Sequence, residues 1–146
     1  MSERPVHLEQ KADYRFAVTF APEVPVLQSD ESPPVGQGAG PSPGQLLLAS
    51  VANCLAASLL FALRKFKQAP EPIRADAEAV IGRNEKNRLR VQRIDVRLAL
   101  GAPADTLQHL DRALDQFEEF CTVTASVRSA IPVDVQVFDS RGQRLK

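Results

Sequence analysis

No tryptophan occurs among these 146 residues, and there is one tyrosine and one methionine. Leu, Val, Ala and seven Phe must therefore fill the core. Neither sign of charge is in excess: 18 basic and 18 acidic side chains cancel. That balance gives no electrostatic reason to expect nucleic acid or an anionic membrane as a partner. The two histidines, His7 and His109, stand in polar surroundings with no clustered ligands, and CxxC, CxxH and HExxH patterns are absent. No metal and no cofactor is expected. The glycine-rich run VGQGAGPSPG (35–44) lacks the Lys-Ser/Thr ending of a phosphate loop and reads as plain flexibility that could shape a pocket. The opening residues carry no apolar run of signal-peptide length. The most apolar stretch, 46–66, is interrupted by Asn53 and Cys54 and closed by Arg64, Lys65 and Lys67, which reads as too short and mixed for a membrane span. A cytoplasmic location is the expectation. In a reducing compartment the two cysteines, Cys54 and Cys121, are then expected to be thiols rather than a permanent staple.

What is present is one domain's worth of chain, 44% apolar. Tyr14, Phe16, Val18 and Phe20 share one parity and predict a strand over 12–20, with a second short strand over 24–27. A long Gly/Pro/Ser-rich loop follows, of a length that is often functional. Residues 45–67 predict a helix, with Ser42 as N-cap and Pro43 at its first position. Its apolar residues cover so much of its surface that it is expected to pack on more than one side. Residues 73–81 and 88–100 predict a hairpin turning at 84–87, with a bulge near Gln92 and Arg93 where the apolar parity switches. A second helix is expected from Asp105 or Thr106, striped by Leu107, Leu110, Leu114 and Phe117. A third is expected over 122–130 with Cys121 at its head, then a last strand from Pro132 carrying Val133, Val135 and Val137. The order is that of an α+β domain.

The cysteines admit two readings. Cys54 falls inside the long helix, where a free cysteine commonly acts as a small buried hydrophobe. Cys121 stands at a helix start, where the dipole lowers a thiol pKa, while Glu118 and Glu119 just before it would oppose that. Residue chemistry leaves structural and redox roles both open.

Two stretches carry a resemblance: GPSPGQLLLASVANCLAASLLFALRKF (40–66) and FCTVTASVRSAIPVDVQV (120–137). They resemble the first and second cysteine regions of the OsmC/Ohr family of organic hydroperoxide reductases. The opening YRFAVTF (14–20) and the loop after it look like the OsmC-like branch. The resemblance runs in order over nearly the whole chain, 1–146, as a single OsmC-like domain. It implies curved antiparallel sheets around a long central helix in an intertwined homodimer, with active sites at the subunit interface. It implies that Cys54 is the peroxidatic cysteine, Cys121 the resolving cysteine and Arg15 the cation beside the thiolate. The implied activity is reduction of an organic hydroperoxide through a Cys54 sulfenic acid and a Cys54–Cys121 disulfide, reset by a dithiol such as a lipoyl-bearing protein. Two positions depart from the family. Gly44 follows Ser42-Pro43 where the family has a Glu that orients the Arg, and Thr122 follows the second cysteine in place of Pro. Asp30 or Glu31 could supply the missing carboxylate. An alternative is a non-peroxidase relative that binds a hydrophobic small molecule in the dimer-interface pocket.

Overall fold

The computed structural model describes all 146 residues, which fall into two compact units, Met1–Leu47 and Leu48–Lys146. The fold is α+β, with one three-stranded sheet in each unit.

In the first unit β1 (His7–Ala12), β2 (Arg15–Thr19) and β3 (Leu27–Ser29) pair antiparallel in that order. The single strand expected over 12–20 is therefore the turn and second arm of a hairpin. Asp13 has a left-handed φ of 50° and reverses the chain there. β1 escaped pattern reading because all six of its residues, HLEQKA, are exposed and carry no apolar alternation. The strand expected over 24–27 begins only at Leu27, because the Val24 N–H bonds to the Ala21 carbonyl in a turn.

The glycine-rich loop is not merely flexible. Asp30, 4% exposed, gathers it by accepting from the backbone N–H of Glu31 (2.8 Å), Gln37 (3.2 Å) and Ala39 (3.0 Å). The chain then passes so close to itself that a Cβ on Gly40 would lie 2.0 Å from the Gln28 carbonyl oxygen. Glycine is required there by contact.

Helix α1 (Pro43–Lys65) starts as expected at Ser42. Ser42 Oγ accepts from the Gln45 N–H, and Gln45 Oε1 accepts from the Ser42 N–H. That reciprocal pair is a capping box with Gln at the third position. The helix ends two residues before the expected 67. Gln68 N–H bonds to Leu63 O, Lys67 N–H bonds to Arg64 O, and Lys67 has φ 57°. This is a Schellman stop with lysine where glycine is favoured. Lys67→Gly is accordingly expected to stabilise the protein by about 1 kcal/mol, measured as a rise in the urea midpoint.

At 23 residues α1 has the length and composition to cross a bilayer, more than its interrupted sequence suggests. Yet Val51, Ala52, Leu55, Ser58, Leu59, Ala62 and Leu63 form a buried seam at helical spacing, which marks a core helix.

In the second unit β4 (Arg74–Arg83) and β5 (Leu89–Ala99) make the expected hairpin. Asn84 closes its turn by accepting from the N–H of Lys86 and Arg88, and Asn87 supplies a φ of 58°. The bulge falls where the parity switch places it: Val80 faces Arg93 and Ile81 faces Val91, leaving Gln92 over. β6 (Val133–Phe138) lies parallel to β5, with Val96 opposite Val135. The expectation of antiparallel sheets is thus corrected, since this sheet is mixed. A parallel neighbour needs a long crossover, and residues 100–132 supply it.

That crossover is more broken than the two expected helices. It comprises a 3-10 turn (Ala104–Thr106), α2 (Leu110–Gln116), a second 3-10 turn (Phe117–Phe120) and α3 (Thr122–Val127). His109, at φ 57°, interrupts the expected stripe between Leu107 and Leu110. α3 stops at Val127 rather than 130. The buried side chains of this unit come from one face of α1, from Ile94, Val96, Leu98, Val133, Val135 and Val137 of the sheet, and from Leu114, Phe117 and Cys121.

Candidate functional site

Cys54 and Cys121 stand 67 positions apart in the chain and both belong to the second unit. Cys54 lies on the shoulder of α1, one residue before the buried Leu55, and is half-buried. Cys121 is the residue between the second 3-10 turn and α3, with extended backbone (φ −83°, ψ 92°), and is fully buried. The fold brings the two free thiols close enough for Cys54 to help raise the pKa of Cys121.

The pKa of Cys121 lies above the ordinary thiol value. Burial is the main cause and Cys54 adds to it, while the Thr124 hydroxyl and amide pull the other way. Sequence reading left helix dipole against acidic pair undecided, and neither decides it. Removal from water dominates.

Glu118 is an anchor for the segment that carries Cys121. Its carboxylate takes Arg128 and Lys146, and Lys146 Nζ also donates to the Leu114 carbonyl (2.9 Å) and sits 5.3 Å from the centroid of the Phe117 ring. Burial pushes the Glu118 carboxyl up, but the two cations outweigh it and hold the group below its ordinary value of 4.5. A depressed folded-state pKa stabilises above the unfolded value, and the stabilisation is lost as pH falls through the folded one. Glu118→Gln is expected to cost about 1–2 kcal/mol at pH 7. Urea unfolding should show the gap between variant and parent narrowing below pH 4.5.

Around the thiols the surface is aromatic. Phe61, two helical turns beyond Cys54 on α1, and Phe120, next to Cys121, are 57% and 54% exposed. Lys65 Nζ reaches over both rings, at 5.6 Å and 5.8 Å from their centroids.

Arg15, the third expected site residue, belongs to the first unit, on β2. It lines a cavity of about 300 Å³ together with Tyr14, Asp30, Val35, Gly36 and Gln37. The Asp30 carboxyl is held below its ordinary range chiefly by the Ala39 N–H, with the other loop amides and the Arg15 charge assisting. Gly44, where the resemblance leads one to expect a Glu, has open space: a Cβ there would meet only Ser42 Oγ at 3.8 Å. No group of three or more His, Cys, Asp or Glu is arranged to hold a metal ion.

Sequence reading missed Thr124 and the Arg128–Glu118–Lys146 anchor. Thr124 offered the signal of a hydroxyl three residues after a cysteine at a helix start. The anchor joins positions too distant for any local pattern.

A family model described as OsmC-like protein matches residues 36–136. No curated protein matches the chain. Among solved structures, an OsmC-like protein of unknown function from Vibrio cholerae is 20% identical, with a TM-score of 0.79 over 94% of this chain and 100% of that one. The organic hydroperoxide resistance protein OsmC of Legionella pneumophila is 15% identical, with a TM-score of 0.69 over 94% and 98%. The organic hydroperoxide resistance protein OhrB of Bacillus subtilis is 13% identical, with a TM-score of 0.68 over 91% and 97%. At such identities the structures speak for the fold, and the family model speaks for kinship: the chain belongs to the OsmC-like family.

Proposed function

We propose that this protein is a thiol-dependent peroxidase that reduces organic hydroperoxides. The observation that carries the reading is the meeting of two free thiols from distant parts of the chain, one half-exposed and one buried. The half-exposed thiol, Cys54, is the one a peroxide can reach. Its thiolate attacks the distal peroxide oxygen, the O–O bond breaks, and an alcohol leaves, with Cys54 now a sulfenic acid. Cys121 condenses with it, releasing water and forming the disulfide. A dithiol then reduces the pair and is itself oxidised. A lipoyl-bearing protein has that chemistry.

Arg15 is proposed as the cation of the reaction, with Asp30 as its acidic neighbour in place of the Glu that Gly44 lacks. The working form is proposed to be an intertwined homodimer in the cytoplasm. Support for the dimer comes from β1, exposed at every position, and from the large apolar side chains Phe61 and Phe120 left outside the core. Those same exposed rings favour the second reading, a binder of apolar small molecules without turnover. Steady-state consumption of cumene hydroperoxide with a dithiol, dihydrolipoamide or dithiothreitol, separates them. A peroxidase turns over many equivalents, and a binder consumes none.

A further inference from the structure

Cys121 Sγ is 2.9 Å from Thr124 Oγ1, and both residues are fully buried. In the resting dithiol the Cys121 S–H donates to the Thr124 hydroxyl. A hydroxyl can reverse its role and donate as well. Thr124 stands at the third position of α3, so its side chain and its amide both lie toward the residue that begins the helix. The cations of this region, Arg128, Lys146 and Lys65, are engaged with other groups. Glu118, three residues before Cys121, is taken up by Arg128 and Lys146, and Lys65 lies over the Phe61 and Phe120 rings. The neighbouring sulfur, Cys54, raises the pKa of Cys121 further rather than favouring its thiolate.

We infer that Thr124 is a positioning residue for the reductive half of the cycle, making Cys121 the thiol that leaves when a dithiol opens the Cys54–Cys121 disulfide. The inference rests on the peroxidase reading for its biological meaning. A reductant thiolate attacks Cys54 Sγ, the half-exposed sulfur, since Cys121 is out of reach. The new bond joins reductant sulfur to Cys54, and the old S–S bond breaks with its electron pair on Cys121. Thr124 Oγ1–H turns to donate to the Cys121 thiolate as it forms. The second thiol of the reductant then attacks the mixed disulfide, frees Cys54 and closes the reductant's own disulfide. Two protons pass from the dithiol to the two protein thiols. Departure is faster for a better-stabilised leaving thiolate. Without the hydroxyl, Cys121 would have to leave as a buried anion with one donor fewer.

The test uses the whole 146-residue chain with Cys54→Ser, in which Cys121 is the only cysteine. Its thiolate is followed by absorbance at 240 nm as pH is raised. Adding Thr124→Val is expected to move the midpoint up by about one pH unit, since a hydrogen bond to a charged group is worth roughly a factor of ten. Thr124→Ser is expected to restore it. With Cys54 intact, the disulfide is formed by diamide, with no peroxide needed, and its opening by dithiothreitol is timed. Thr124→Val is expected to slow opening several-fold, and Thr124→Ser to match the parent. If valine at this buried position prevents folding, Thr124→Ala carries both measurements. An unchanged midpoint together with an unchanged opening rate overturns the inference. Because neither measurement involves a peroxide, failure of the peroxidase reading would show separately, as a parent protein inert to cumene hydroperoxide.

Discussion

Cys54→Ser is expected to abolish hydroperoxide turnover, lowering it by at least about a hundredfold, because the attacking sulfur is gone and a serine hydroxyl does not ionise near neutral pH. Cys121→Ser should behave differently. Cys121 is fully buried and comes into play only after the first oxidation. The variant should therefore still consume one equivalent of peroxide and stop at the sulfenic acid, with later turnover depending on whatever thiol reaches Cys54. Steady-state and single-turnover assays on the two variants give this asymmetry directly. Equal losses at both stages in both variants would place the nucleophile elsewhere. Neither substitution should disturb folding much, since serine is close to cysteine in size, and thermal unfolding checks that the loss is chemical.

Phe117→Ala carries the largest expected effect on stability. Phe117 is the largest fully buried side chain, 0% exposed, at the junction of α2 and the turn that leads into Cys121. Truncating a buried Phe removes its transfer free energy and leaves a cavity, at a cost of about 3–5 kcal/mol. Against a total stability on the order of 5–15 kcal/mol, that is a large share. Lys146 also packs over this ring while it holds Glu118, so the anchor of the Cys121 segment should loosen with it. Val24→Ala is the control: it lies in a surface turn, 42% exposed, with an expected cost within about 0.5 kcal/mol. Urea unfolding of the pair reads the difference. Similar small losses in both would mean that the core does not rest on Phe117.

The legible parts of the fold are those whose signal is local. The long helix announced itself by its capping residues and apolar spacing, and Ser42 and Gln45 form the cap that such a start requires. The hairpin and its bulge followed from alternation and from the switch in parity at Gln92. β1 was not legible, because a strand exposed at every position has no reason to alternate. The break at His109 was hidden too, since a left-handed residue other than glycine leaves no compositional mark. Parallel pairing of β5 and β6 depends on how a crossover of some thirty residues returns, which no window of sequence contains.

For the site the balance is similar. The cysteines were legible through the resemblance of their surroundings, and the structure adds their proximity. Their environment was not legible. The rise in the pKa of Cys121 comes from burial, a property of the assembled core, and its nearest polar partner, Thr124, draws its meaning from a distance rather than from a motif. The Gly/Pro-rich loop misled most. Its composition suggests freedom, whereas Asp30 ties three of its amides to one carboxylate.

The central claim is that Cys54 and Cys121 work as one redox unit. Its most direct test is a mass-resolved titration of the reduced protein with one equivalent of cumene hydroperoxide, run on the parent and on Cys121→Ser. The account predicts loss of two hydrogens in the parent, mapped to an intramolecular Cys54–Cys121 disulfide, and gain of one oxygen on Cys54 in the variant. A parent whose Cys54 remains a free thiol after minutes of exposure would contradict it.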